Sequence, residues 1–159
     1  MDIILFRHGH AVDDTGSSSL GDAGRWLSGK GRERTREVAK KLAASKKKRP
    51  VEIWTSPLVR AVQTAEIAAE AAGLTDAVHV REELSPGRDP ADVVRALAEY
   101  SGPGPLALVG HEPSLSILAA TLLGERSFPT LKKSGVVGLG WEGKGRGPAK
   151  VLFEKQPKS

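Results

Sequence analysis

Residues 2–6 (Asp-Ile-Ile-Leu-Phe) and 106–110 (Leu-Ala-Leu-Val-Gly) are short and almost unbroken apolar runs. A strand of this kind has no polar face to turn toward water, so it fits a parallel sheet covered on both sides. Residues 51–55 (Val-Glu-Ile-Trp-Thr) read as a third strand, and 77–81 as a short fourth. Helical patterns separate them. One runs from about Lys30 to Ala44 with Val38, Ala39 and Leu42 on one face. A second is capped by Ser56, opens on Pro57 and runs to about Ala72, where Gly73 stops it. Asp89-Pro90 repeats the cap-then-proline signature before Val93, Val94 and Leu97, and Pro113 opens a last helix through Leu123, ended by Gly124. Residues 134–141 and 149–154 read as strands of a hairpin joined by the glycine-rich segment 143–148. That segment lacks the Lys-Ser/Thr of a phosphate loop and no helix follows it. Strands alternating with helices predict an α/β fold: a three-layer α/β/α arrangement with a mainly parallel central sheet, the final hairpin adding antiparallel strands at an edge. The 159 residues fit one catalytic domain spanning 1–159.

Composition narrows the chemistry. There is no cysteine, which removes disulfides, thiolate metal sites and a cysteine nucleophile. No apolar stretch approaches the roughly 20 residues of a membrane span, and the start Met1-Asp2-Ile3 lacks signal-peptide features, so no membrane partner and a cytoplasmic location are expected. The net charge is +5, with a pI of about 9.6. Such a balance favours polyanions in general. Nucleic acid is nonetheless an unlikely partner, because aromatic residues are only 4% and no nucleic-acid-binding motif is present.

In open α/β sheets ligands sit beyond the carboxyl ends of the strands. The residues at those positions are Arg7, His8, Gly9 and His10 after the first strand; Ser56 and Pro57, with Arg60 in the following helix, after the second; and His111 and Glu112 after the 106–110 strand. Arginine forks match phosphate oxygens, and helix N-termini nearby favour anions. A neutral imidazole can attack phosphorus, and a second, charged imidazole can stabilise the transferring group. Gly9 lets the chain turn sharply behind the nucleophile.

These segments carry a family resemblance. Arg7-His8-Gly9 after an N-terminal strand, the stretch from Thr55 through Arg60 to Ala65, and Val109-Gly110-His111-Glu112-Pro113 resemble, in order, three motifs of the histidine phosphatase (phosphoglycerate-mutase-like) superfamily. Leu27-Ser28-Gly29-Lys30-Gly31 resembles its segment entering the first helix, and Glu83-Leu84-Ser85-Pro86 with the short length looks closest to the SixA-type phosphohistidine phosphatases. The resemblance implies a phosphoglycerate-mutase-like fold and hydrolysis through a phosphohistidine on His8. Arg7, Arg60 and His111 would hold the phosphoryl oxygens. No metal and no other cofactor would be required. The implied partner is a phosphohistidine-bearing protein or, alternatively, a small phosphate ester such as a sugar phosphate, nucleotide or cobamide precursor.

Glu83 is the first choice for a general acid, with Glu82 adjacent. A phosphohistidine substrate would relax that requirement, since its leaving imidazole can be protonated before departure. His10 departs from the acidic or small residues common at this place in similar proteins, and is a candidate substrate contact that could also shift the pKa of His8. His79 reads as structural. Asp13 and Asp14 read as solvated, and Ser17–Ser19 as a flexible loop. Two other readings compete. One is a metallohydrolase using His8, His10 and His111 with Asp13 or His79, against which Arg7 and Arg60 would repel the cation. The other is a non-catalytic phosphate sensor.

Overall fold

A computed structural model describes residues 1–13 and 19–158, so the expectations for Asp14, Ser17 and Ser18 lie outside the described residues. The strands are β1 (Asp2–Arg7), β2 (Glu52–Thr55), β3 (Val78–Val80), β4 (Leu106–Gly110), β5 (Val136–Gly140) and β6 (Lys150–Lys155). The helices are α1 (Gly29–Ala43), α2 (Val59–Ala72), α3 (Pro90–Glu99) and α4 (Ser114–Leu123), with 3-10 turns at Gly21–Gly24 and Glu82–Leu84. All six strands form one sheet in the order β3-β2-β4-β1-β5-β6. The pairs β3–β2, β2–β4 and β4–β1 are parallel, while β1–β5 and β5–β6 are antiparallel. The hairpin therefore closes one side of the sheet, and only its second strand is an edge.

Strand alternation builds two cores. Ile3 and Leu5 of β1, Leu106 and Leu108 of β4 and Val137 and Leu139 of β5 pack with Val93 and Leu97 of α3 and with Leu115, Leu118 and Leu122 of α4. The intervening residues Ile4, Phe6, Ile53, Ala107, Val109 and Val136 face Val38 and Leu42 of α1 and Ala61, Ala65, Ala68 and Ala69 of α2. Both faces of β1 and β4 are dry, which is why their sequences are continuously apolar. The alanines of α2 let that helix lie close to the sheet.

Helix ends follow local chemistry. Asp89 caps α3 by accepting from Ala91 N–H at 2.9 Å, and Gly73 and Gly124 close α2 and α4 in the left-handed conformation. The expected start of α2 needs correction. The helix begins at Val59, two residues past Pro57, and its N-cap is Leu58. Ser56 is not the cap. Its hydroxyl accepts from Leu58 N–H at 3.2 Å and also pairs with a histidine of another strand end. Similarly, Pro113 is the N-cap of α4 and the helix proper opens at Ser114.

Candidate active site

Register brings the two motif histidines together. In the parallel ladder Arg7 lies opposite Gly110, so the next residues, His8 and His111, leave neighbouring strands side by side. Their ring centroids are 5.0 Å apart with the planes tilted by 55°. The backbone at His8 is clamped from both sides: its N–H donates to Gly110 O at 3.1 Å, and its carbonyl accepts from Ser134 N–H at 3.2 Å. Both rings are buried.

The His8 ring is oriented by its own turn. Nδ1 donates to the Gly9 carbonyl at 2.7 Å, which leaves Nε2 as the lone-pair nitrogen. Arg60 Nε approaches that nitrogen at 3.4 Å. Gly9 is required by crowding: a Cβ there would lie 2.7 Å from Thr35 Oγ1 and 3.0 Å from both Gly31 O and Ser134 Oγ. The Gly9 N–H is held at 3.1 Å by Thr64 Oγ1, whose hydroxyl donates to Arg60 O at 2.8 Å. One turn of α2 thus fixes both the loop that carries His8 and the arginine.

Burial first, aided by the positive charges of Arg60, Arg7 and Lys133 and opposed by the bond to Gly9, lowers the His8 pKa from 6.5 to about 4. Burial, the neighbouring His8 and the arginines lower that of His111 from 6.5 to about 3. Both rings are therefore neutral near pH 7. For His8 that suits an imidazole that accepts a phosphoryl group. For His111 it modifies the expectation of a charged imidazole: the ring is neutral alone, and a dianion beside it would favour its protonation.

The arginines are prepared differently. Arg60 is 7% exposed, and its Nη1 donates to Asp22 O at 2.8 Å while Nη2 meets Asp22 Oδ2 at 3.1 Å. Arg7 Nη1 donates to Leu131 O at 2.7 Å. His111 Nε2 shares a hydrogen bond of 2.7 Å with Ser56 Oγ. Among the described residues, the buried side-chain polar atoms without a partner are Arg7 Nε and His111 Nδ1. An unsatisfied buried polar group costs about 1–3 kcal/mol. That both sit at this site marks it as a place where a polar ligand completes the bonding.

The remaining candidates lie on other elements. Glu83 lies in the 3-10 turn after β3, where the Leu84 carbonyl packs near Gly110 at the end of β4. Its Oε2 accepts from Arg81 Nε at 2.9 Å, and the Arg81 guanidinium rests over the Trp54 ring at 4.2 Å. His10 is exposed on the rim with Nδ1 paired to Ser28 Oγ at 2.8 Å. His79 lies on edge strand β3, 3.9 Å from Glu52, and does not join the ring pair. Among the described residues no three acidic or histidine side chains gather as metal ligands. No helix among them is long and apolar enough to cross a membrane.

Sequence reasoning overlooked several positions. Asp22, on Arg60, lies in a polar loop whose path the residues do not reveal; the Asp22-x-x-Arg25 spacing, an ion pair of 3.0 Å, was the only signal. Glu112 was placed at the carboxyl end of β4 but without a role; it caps α4 from outside, accepting from Ser116 N–H at 2.7 Å and from Leu131 N–H at 2.6 Å. Thr35, Thr64 and Ser134 belong to the frame behind Gly9.

Known proteins share this fold. The sequence profile of the histidine phosphatase superfamily (branch 1) matches residues 3–85. An uncharacterised protein of Picosynechococcus sp. is 40% identical over 144 residues, covering 87% of this chain and 84% of its own. The structure of the protein histidine phosphatase SixA complexed with tungstate superposes with a TM-score of 0.84 at 25% identity, over 99% of this chain and 97% of the other. A phosphohistidine phosphatase SixA assigned in Agrobacterium tumefaciens has the same fold, with a TM-score of 0.79 at 22% identity over 99% and 98% of the two chains.

Proposed function

The chain belongs to the histidine phosphatase superfamily (branch 1), and on that premise we propose that it hydrolyses phosphohistidine on a protein by way of a phosphohistidine intermediate at His8. The observation that carries this reading is the His8 ring itself: buried, neutral, and held by Gly9 so that Nε2 presents its lone pair beside the Arg60 guanidinium.

In the first step the Nε2–P bond forms as the bond from phosphorus to the substrate ring nitrogen breaks; that nitrogen takes the bonding pair, and the imidazole departs neutral with a proton on its other ring nitrogen. Arg7, Arg60 and the protonated His111 bind the three equatorial oxygens, countering charge that builds on them. In the second step water attacks phosphorus, the Nε2–P bond breaks, and phosphate leaves with His8 returned to its neutral form. The chemistry needs no metal, because the cationic side chains do the electrostatic work. Glu83 is the group nearest in role to a general acid. Its carboxylate is engaged by Arg81, and a phosphoramidate leaving group, protonated on its own ring, places less demand on it than an alcohol. This favours phosphohistidine over a phosphate ester.

The test is phosphate release from a phosphohistidine-bearing protein and from an aryl phosphate, side by side in strong chelator, with His8→Ala as control. Rapid release from the phosphoprotein, slow aryl turnover and loss of at least about a thousandfold in His8→Ala are expected. The reverse preference would keep the His8 chemistry and move the substrate to a small phosphate ester. Substantial activity in His8→Ala would remove the nucleophile assignment, and no release from either substrate would leave a phosphate sensor.

A further inference from the structure

Charge around the site mouth is unevenly distributed. On the side formed by α1, the 19–28 loop and the approach to β5 stand Arg25, Lys30, Lys132 and Lys133. Lys30 is the second residue of α1, whose cap Ser28 bonds the His10 ring at 2.8 Å. Lys133 directly precedes Ser134, the residue that donates to the His8 carbonyl at 3.2 Å. Lys30, Lys132 and Lys133 are exposed and have no ion-pair partner among the described residues. Their placement over the site agrees with the charge felt inside: Lys133 acts on both His8 and His10, and Lys30 and Arg25 act on His10. Among the described residues the carboxylates on or beside these elements are Asp13, Asp22, Glu33 and Glu37; Asp22 is engaged by Arg25 and Arg60, and Glu37 by Lys41. Across the mouth, after β3, stand Glu82 and Glu83.

The same side carries a half-exposed aromatic group. Trp26 is 50% exposed next to Arg25. Its backbone is firmly held: its carbonyl accepts from Val12 N–H at 2.9 Å, beside the Ala11–Leu27 bridge. A rigidly mounted, half-exposed tryptophan beside arginine is the composition of an interface anchor.

We propose that this side of the mouth is the docking surface for an acidic protein, whose carboxylates pair with Lys30, Lys132 and Lys133 while Trp26 supplies the apolar anchor. The inference rests on the phosphohistidine-protein reading for what enters the site, and it adds the kind of protein that delivers it. Nucleic acid fits less well. Asp13 and Asp22 would face its phosphates, and a single tryptophan gives no stacking platform.

The probe is an acidic protein phosphorylated on a surface histidine with phosphoramidate, compared with free phosphohistidine. In K30E/K132E the KM for the phosphoprotein rises by about tenfold or more at low salt, and the difference from wild type shrinks as ionic strength approaches about 0.5 M. Turnover of free phosphohistidine stays within about twofold of wild type. Trp26→Ala also raises the phosphoprotein KM, without the salt dependence. Unchanged KM in both variants, or equal losses on the free amino acid, would overturn the proposal, as would wild-type retention of single-stranded RNA that out-competes the acidic protein. If the wild-type enzyme hydrolyses neither substrate, the chemical reading has failed separately. Calorimetric binding of the unphosphorylated acidic protein then decides the surface: salt-sensitive binding lost in K30E/K132E sustains it, and no binding removes it.

Discussion

A histidine that accepts a phosphoryl group must be unprotonated when the substrate arrives, and His8 reaches that condition through burial and nearby cations rather than through a basic partner. Its pKa of about 4 sets a clear expectation. The kcat/KM profile, corrected for ionisation of the substrate, holds its activity as pH falls through 6.5 and loses it only near pH 4, because kcat/KM reports the free enzyme. An acid limb centred near 6.5 would show that the ring is not desolvated. Asp22 gives a second expectation. Its carboxylate occupies an arginine that the proposed chemistry assigns to phosphate, so Asp22→Asn, which keeps the backbone bond to Nη1, strengthens competitive inhibition by inorganic phosphate by roughly three- to tenfold. Weaker inhibition would mean that Asp22 chiefly positions Arg60. Arg7, His8 and His111 were legible because each sits at the carboxyl end of a recognisable strand. Asp22 was not, because its role depends on where a polar loop folds back, and neither periodicity nor apolar content records that path.

Elements were readable where one local signal had one use. The apolar runs of β1 and β4, the Asp89 cap and the closing glycines act through nearest neighbours, so residue type alone identifies them. The start of α2 was misplaced because Ser56-Pro57 matches a cap signature while tertiary structure directs the serine to His111. The join between β1 and α1 is equally non-local. A Cβ on Gly31 would fall within contact distance of the His10 carbonyl, and nothing in Lys30-Gly31-Arg32 announces it. Gly31→Ala should therefore destabilise by about 1–3 kcal/mol, as overpacking does, although alanine is the better helix former. It should also disturb the turn that aims His8. Chemical denaturation with parallel activity measurements checks this, and a stability equal to wild type would contradict the close approach.

For the molecule as a whole, the buried histidines tie stability to pH. Unfolded, each titrates near 6.5; folded, the values are about 4 for His8 and about 3 for His111. Between 6.5 and those values the unfolded chain binds more protons, so stability is complete above about pH 6.5 and declines as pH falls through the window, by an amount on the order of a few kcal/mol. His8→Ala should flatten part of that decline in melting experiments. Inorganic phosphate should flatten it too, since an anion bound only to the native state favours the protonated His111 there. A melting temperature that does not vary between pH 7 and pH 4 would contradict the buried neutral pair.

The position of β1 has a last consequence, for timing rather than chemistry. The strand is paired on both sides, with β4 and β5, and the amides of Arg7 and His8 are bonded to Gly135 and Gly110 carbonyls. Deuterium would enter those amides only when the whole sheet opens, whereas the largely exposed hairpin turn at 143–148 would label during brief local excursions. The far end of the hairpin can thus fluctuate and renew itself continually, while the atoms to which the proposed reaction is assigned are among the last in the chain to lose their order.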